Sequence, residues 1–177
     1  MSKTKLIEFV WKKGKTNKER LIFSNEKEIG YLKRSGFFRD SAIGEINKKK
    51  YDFSANGFIN VKFKIRDMIA GKMISQFEHK WIGNNTGILN FESGQEYTWK
   101  CIDFLRGRWA WIDSSENEIM QFYPDDLFHR SGKIVVNTEF GKNDDFDLLI
   151  QLGLHLRLFY NFCLILLIII LFAMIMR

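Results

Sequence analysis

The sequence contains little of what cross-links or stiffens a chain. Among its 177 residues there are one proline and two cysteines, Cys101 and Cys163. These cysteines lie far apart in dissimilar surroundings, which argues against a disulfide framework and favours a reducing compartment, the cytoplasm. The shortage of proline is typical of a protein made largely of paired strands. The first residues, MSKTKLIEF, include no apolar stretch of the kind found in signal peptides, so no signal peptide is predicted.

The sequence also lacks the motifs of common catalytic and nucleotide-binding sites. It has no glycine-rich phosphate loop, no HExxH, no pair of CxxC motifs and no nucleophile elbow. Residues 124–129, PDDLFH, bring two carboxylates near an imidazole, but no second ligand cluster accompanies them, and a solvated turn is the preferred interpretation. The acidic residues 143–147 lack the alternating ligands and final glutamate of a calcium loop, and we interpret them as a helix cap. We therefore predict a protein without enzymatic activity, cofactor or bound metal.

Twelve short segments between residues 5 and 140 have the composition of β-strands. They are rich in β-branched and aromatic residues and are separated by Gly, Asn, Asp and Ser, which predicts antiparallel hairpins within one domain. The predicted strands are residues 6–11, 20–24, 29–33, 41–46, 49–54, 60–66, 72–78, 87–92, 96–102, 108–113, 118–123 and 133–138. With strands about 4.8 Å apart and tilted by about 40°, twelve of them close into a barrel of about 12 Å radius, close to what is needed to enclose one helix.

The C-terminal part of the chain supplies a helix for this space. Residues 162–176 contain no polar side chain, and a helix that is apolar all round has to be buried in lipid or in protein. This run would extend roughly 22 Å, or roughly 28 Å from residue 158, against a hydrocarbon core of roughly 30 Å. The sequence therefore predicts a mainly β fold, a closed antiparallel barrel of about twelve strands around a hydrophobic C-terminal helix.

The first half of this helix carries features that lipid would penalise. Gln151 and His155 share one helical face, and polar groups are costly in a bilayer. Glycine costs about 1 kcal/mol in a helix interior and usually marks close packing. We therefore predict that residues 148 to about 160 are enclosed by the strands, with His155 satisfied by barrel-lining groups such as Asn90 or Gln121. The central-helix residues singled out are Leu148, Leu152, Gly153 and His155.

Several short motifs lie along the predicted strands and at the start of the helix. They are EIGY at residues 28–31, AIGE at 42–45, YDF at 51–53, YTW at 97–99, RGRW at 106–109, DLL at 147–149 and GL at 153–154. With the order of about twelve strands, an acidic segment and a hydrophobic helix, they resemble the tubby C-terminal-like superfamily, which includes phospholipid scramblases and plant LURP-one-related proteins. The resemblance covers nearly the whole chain. It implies a twelve-stranded barrel around a central helix that acts at membranes by binding phosphoinositides or moving phospholipids.

The length of the helix departs from that family's pattern. The family's helix usually ends within a couple of dozen residues, whereas residues 144–176 would extend about 50 Å. We divide the chain accordingly. Residues 1–161 are predicted to form a single barrel domain with the start of the central helix, and residues 162–177 to continue the helix. Two outcomes stay open for this continuation: it protrudes as a membrane anchor, or the helix breaks near Asn161.

Cations on two neighbouring predicted strands form a candidate binding surface. The formal net charge of +6 favours acidic partners such as phospholipid head groups or nucleic acid. In residues 61–66 the alternation sends Val61, Phe63 and Ile65 to the face opposite the cations, so no aromatic platform for bases forms and nucleic acid is not predicted. The KKGK turn of residues 12–15 is a further candidate for phosphate. The predicted outward patch for anionic head groups, or alternatively a merely solvated face, consists of Lys48, Lys49, Lys50, Lys62, Lys64 and Arg66.

Three hypotheses for the function follow. The first is a non-enzymatic, membrane-associated barrel that binds anionic phospholipid head groups or acts as a membrane tether. The second is a lipocalin-like barrel of eight to ten strands that carries a small ligand, with the tail as a separate anchor. The third is a soluble barrel of unknown partner with its helix wholly internal. The position of the helix distinguishes them, because a carrier needs an empty cavity.

Overall fold

Twelve β-strands and one long α-helix make up the fold. The structure is a computed structural model that describes residues 6–35, 41–56, 60–80, 86–125 and 130–176. A short 3-10 helix, Phe140–Lys142, connects the last strand to α1, Phe146–Ile175. The strands are β1 (Leu6–Lys13), β2 (Glu19–Ser24), β3 (Lys27–Ser35), β4 (Ser41–Ile46), β5 (Lys49–Asn56), β6 (Asn60–Asp67), β7 (Lys72–Lys80), β8 (Thr86–Phe91), β9 (Glu96–Asp103), β10 (Arg108–Ile112), β11 (Glu118–Pro124) and β12 (Gly132–Asn137).

The strands close into a single antiparallel barrel. Each strand pairs with its neighbours in sequence, and β12 pairs with β1 to complete the circle. The closing pair aligns Leu6 with Asn137 and Trp11 with Gly132. The predicted hairpin of the two basic strands also forms, since β5 and β6 pair with Asp52 opposite Arg66. The predicted closed barrel of about twelve strands is confirmed.

The side-chain alternation along the strands explains why the barrel has an apolar interior. In β6, Val61, Phe63 and Ile65 are fully buried, whereas the intervening Lys62 and Lys64 are exposed. Successive side chains of a strand point to opposite faces, so each strand of this kind contributes one apolar and one polar face. The three tryptophans of β9 and β10 lie on the inner face, where Trp99 and Trp109 stack with ring centroids 5.4 Å apart. All three are at most 1% exposed and belong to the core.

The first half of α1 fills this interior. Leu148, Leu152 and His155 are at most 1% exposed, and the buried stretch of the helix ends at Phe159. A void between Phe63, Trp99, Phe159 and their neighbours has a volume of only about 10 Å³. The helix then continues without a break to Ile175, so the alternative of a break near residue 161 is wrong. The interior is occupied where a ligand carrier would need an empty cavity.

Close packing around the helix accounts for its unusual residues. A side chain at Gly153 would overlap the ring of Phe122 and lie 2.8 Å from the indole nitrogen of Trp111. That indole donates a hydrogen bond to the carbonyl oxygen of Leu149 over 2.9 Å. Glycine lets the barrel wall approach the helix at this level, which outweighs its intrinsic cost in a helix. The prediction that Gly153 marks close packing is confirmed.

The predicted neighbours of His155 are wrong. Asn90 is exposed, and the Gln121 amide donates to Glu118 on the outer face of β11. His155 instead stacks on Phe53 at 5.7 Å between ring centroids and meets the edge of Phe63 at 5.3 Å. The reason is strand alternation: Leu89 and Phe122 occupy the inner face, so the residues next to them in sequence point outward.

The acidic segment before α1 joins the helix start to the strands. The Asp147 carboxylate accepts a hydrogen bond from the Asn47 side chain over 2.9 Å and lies 3.5 Å from the Lys49 ammonium. The Tyr97 hydroxyl donates to the Asp145 carboxylate over 3.1 Å. Burial is the main cause that raises the pKa of Asp145, and the bond from Tyr97 partly opposes it. The segment was interpreted as a helix cap, yet Asp145 at the N-cap makes no side-chain bond to the helix N–H groups.

Candidate functional site

The two ends of the barrel differ because the helix leaves through only one of them. We call the end where α1 begins the base and the end where it leaves the mouth. At the mouth, the Arg34 guanidinium donates to the carbonyl oxygen of Leu158 over 3.5 Å and lies 5.9 Å from the ring centre of Phe162. Tyr160 packs against Trp109 with ring centroids 4.8 Å apart. These contacts hold the helix at the point where it emerges.

A buried arginine lies at the mouth under the connection between β9 and β10. Arg157 is 1% exposed, and its Nη2 atom lies 3.3 Å from the position a side chain at Gly107 would occupy. Gly107 has a φ of +61°, a backbone conformation that glycine adopts without strain. Burial lowers the pKa of Arg157 to about 10, so the guanidinium stays charged at neutral pH. A positive charge therefore lies beneath the surface of the mouth at this point.

An open cavity of about 480 Å³ separates this connection from the helix. The polar side chains of its lining are Arg157 and Asn161 of the helix, with Arg106 and Asp125 of the connections. Its apolar lining includes Phe104, Leu105 and Leu164. A cavity whose lining combines apolar side chains with polar groups of net positive charge suits the phosphate head group of an amphiphile better than a wholly apolar ligand.

The charges of the hairpin connections differ between the two ends. In the described connections at the mouth, the charged side chains are Lys15, Lys18, Arg106, Arg130 and one acid, Asp125. The strand ends beside them add Lys13, Arg34 and Arg108, with the acids Glu19 and Asp103. At the base, the connections carry Glu26, Glu92, Asp113, Glu116, Glu139, Asp144 and Asp145, with Lys48 and Lys142 as the cations. Among the described connections, the mouth is therefore basic and the base acidic.

The structure separates the six cations that were predicted to form one patch. Lys49 lies two residues before the buried Tyr51 and so starts from the same face of β5. Its side chain bends to the base, where the ammonium donates a hydrogen bond to the carbonyl oxygen of Asp144 over 2.9 Å. Lys48 lies in the β4–β5 turn at the base, and Lys50 faces Glu45 at 4.0 Å. The outward members of β6 are Lys62, Lys64 and Arg66.

The β6 cations have acidic neighbours and lie on the barrel wall. Lys62 pairs with Glu78 at 2.5 Å, and Arg66 lies opposite Asp52 in the strand register. The wall extends between the base and the mouth, so these cations do not lie in one plane around the emerging helix. Whether they bind head groups stays a prediction, and the clustering of all six into a single outward patch is wrong because Lys49 bends to the base and bonds to Asp144.

The mouth cations were mostly missed by the analysis of the sequence, although the KKGK turn of residues 12–15 proves to lie there. The position of these cations at one end of the barrel could have been predicted from the order of the hairpins. In a barrel of antiparallel neighbours, successive connections alternate between the two ends, so every second connection belongs to the mouth. When the charged residues of odd-numbered and even-numbered connections are counted separately, one end is basic and the other is acidic.

The remaining candidate residues do not form a metal site within the described part of the chain. Among those residues, no group of three or more His, Cys, Asp or Glu side chains is placed to hold a metal ion. Of the PDDLFH segment, only Pro124 and Asp125 belong to the described residues, and 126–129 lie outside them. Cys101 and Cys163 form no disulfide with each other and are both half-buried, and burial raises the pKa of the Cys101 thiol.

Comparisons with protein-family models, with curated proteins and with solved structures found no match to the chain. The resemblance to the tubby C-terminal-like superfamily therefore stays a prediction that depends on the motifs and the order of elements.

Proposed function

We propose that this protein is a membrane-anchored β-barrel without enzymatic activity, whose apolar helix enters the bilayer and whose basic mouth binds anionic phospholipid head groups. The observation that carries the proposal is the second half of α1. Residues 161–176, which we call the outer helix segment, extend beyond the barrel. By length and composition α1 is apolar enough to cross a membrane, and only 12% of its most apolar 18-residue window is buried.

The outer helix segment exposes side chains that water disfavours. Ile169 is 58% exposed, Phe172 63% and Ile175 80%. Burial of apolar surface stabilises by about 25 cal/mol per Å². A helix that is apolar on every face is therefore stabilised most by a solvent that surrounds it completely. Lipid is such a solvent, and a helix also satisfies its own backbone hydrogen bonds there. This favours a bilayer over the interpretation of a soluble barrel with a wholly internal helix.

The charge of the mouth supports the same orientation. If the outer helix segment lies in lipid, the mouth faces the membrane surface and the acidic base faces away from it. A cation near an anionic membrane surface contributes about 1 kcal/mol, and salt weakens this contribution within a Debye length of about 8 Å at physiological ionic strength. The wall cations of β6 would stand away from the surface in this orientation, so the mouth is the better candidate for head-group binding.

Charged residues in the middle of the outer helix segment are expected to release the protein from membranes. In the double variant Ile168→Lys/Ile169→Lys, each lysine costs about 2.5–3.5 kcal/mol near the bilayer centre by the scale of membrane insertion. We expect the full chain to move from the carbonate-resistant membrane pellet to the soluble fraction. Met68→Lys/Ile69→Lys, on an exposed turn of the base, is the matched control and should stay in the pellet. Release of both variants, or of neither, contradicts the proposed anchor.

Head-group binding by the mouth is tested by comparing two triple charge reversals. Lys13, Lys15 and Lys18 are exposed at the mouth, and Lys62, Lys64 and Arg66 are exposed on the wall. In a barrel shortened before residue 163, reversal of the mouth set to Glu should reduce co-sedimentation with phosphatidylserine vesicles at low salt. Reversal of the wall set should reduce it less, and neither should change folding.

Both variants alter the net charge equally, so a difference between them reports position. A greater loss for the wall set would favour the β6 surface predicted from the sequence. Equal binding by the original barrel and both variants would show that neither surface binds lipid.

A further inference from the structure

The connection between β9 and β10 carries two apolar side chains that are exposed and are not needed to close its turn. Phe104 is 61% exposed, and Leu105 is 92% exposed, the most of any large hydrophobic side chain among the described residues. The turn is closed by other groups: the Gly107 N–H donates to the carbonyl oxygen of Phe104 over 3.1 Å, and the Arg106 N–H donates to the Asp103 carboxylate over 3.1 Å. Phe104 and Leu105, which we call the 104–105 tip, are therefore available for a partner.

The tip lies beside the helix where the helix leaves the barrel. The open cavity at the mouth is lined both by Phe104 and Leu105 of the tip and by Tyr160, Asn161 and Leu164 of the helix. The tip thus stands level with the first residues of the outer helix segment. Whatever medium surrounds those residues also surrounds the tip.

The length of the outer helix segment draws the mouth toward the lipid. The apolar run of residues 162–176 extends roughly 22 Å, whereas a hydrocarbon core is roughly 30 Å thick. A short span is accommodated by thinning of the bilayer and by pulling its flanking residues into the interface. Tyr160 and Arg34 at the mouth are residue types that suit this interface, since one is aromatic with a polar tip and the other has a long stem with a charged end.

The residues that flank the tip carry a net positive charge, because Arg106 and Arg108 outnumber Asp103, whose carboxylate lies 3.7 Å from the Arg106 guanidinium. Arg106 is exposed directly after it, and Arg108 is half-buried at the start of β10. Apolar side chains bordered by cations match a membrane interface, where the former enter the acyl layer and the latter meet the phosphates. We propose that the 104–105 tip is a second insertion point, which enters the lipid next to the helix and fixes the orientation of the barrel on an anionic bilayer.

This inference rests on the proposed membrane anchor, and one experiment separates the two. The full chain, with Cys101 and Cys163 replaced by Ser, receives a single cysteine at Leu105, at Ile168 or at Ile69. Each cysteine carries an environment-sensitive fluorophore, and the protein is inserted into vesicles of phosphatidylcholine and phosphatidylserine. Ile69 is the control, because it is 70% exposed on a turn of the base, away from the helix exit. Circular dichroism establishes that the cysteine replacements retain the fold.

The expected result is blue-shifted emission, and loss of fluorescence with nitroxide-labelled lipid, for the labels at 105 and 168 but not at 69. A label at 105 that reports water while the label at 168 reports lipid would overturn the second insertion point and leave the anchor in place. Water at 168 would overturn the anchor itself and the inference with it. Lipid around 69 as well as 105 would mean that the barrel lies on its side, which also overturns the inference.

Discussion

Replacing Leu152 with Asp is expected to unfold the barrel. Leu152 is fully buried at the centre of the helix that fills the interior. The substitution removes a core side chain, which costs about 2–5 kcal/mol for a change to a small residue, and adds a buried carboxyl group without a partner, which costs several kcal/mol more. Together these losses are comparable with the total stability of a domain, about 5–15 kcal/mol. Loss of cooperative unfolding and of the near-ultraviolet tryptophan signal would be the measurement.

The same substitution on the outer helix segment is the matched control. Ile168 lies on the same helix and is 45% exposed, so Ile168→Asp should leave the barrel folded, as judged by its tryptophan circular dichroism. A normally folded Leu152→Asp protein would show that the helix is not the core of the barrel. If instead Ile168→Asp alone unfolded the protein, the outer helix segment would be part of the folded domain.

Deleting residues 163–177 is expected to leave a folded barrel that is recovered in the soluble fraction. The helix would then end at Phe162, so the contacts of Arg34 with Leu158 and Phe162 are retained. The deletion does remove Cys163, which packs partly against the core, so a small drop in melting temperature is expected. Because most of the other removed side chains are exposed, their loss costs the barrel little packing.

The measurement is fractionation of cells with thermal unfolding of the purified protein. The control is a deletion that starts ten residues earlier, at 153, which removes Gly153, His155 and Arg157 from the interior and should abolish folding. If the deletion at 163 behaves like the deletion at 153, the outer helix segment belongs to the core and the anchor is wrong. If the shortened barrel stays in the membrane fraction, another surface holds it there.

The barrel and its central helix were predictable because both depend on local regularities. A strand with one buried face shows a period of two along the chain, and Val61, Phe63 and Ile65 display it clearly. The helix interior was recognisable from Gly153 and from the polar stripe of Gln151 and His155, which lipid would penalise. The burial of the helix up to Phe159 agrees closely with the predicted limit of about 160.

The neighbours of individual helix residues were not predictable in this way. Which strand faces His155 depends on how far the helix is rotated about its axis inside the barrel. That rotation is fixed by the packing of side chains from all twelve strands at once, among them the fit of Gly153 against Phe122 and of Gln151 against the backbone of Gly44. No periodicity in the sequence encodes it. The position of Arg157 under Gly107, and thus the cavity at the mouth, depends on the same rotation.

The order of elements along the chain has a consequence for biosynthesis. β1 pairs with β12, so the barrel cannot close until the chain has been made as far as Asn137, and the helix that fills it follows still later. Until then the aromatic inner faces, with Trp11 and Phe53 among them, have no core to cover them. Contacts between residues so distant in sequence form slowly, and partly made chains with exposed apolar strands aggregate readily. A nascent chain of this protein is therefore expected to expose apolar strand faces until its helix has been made.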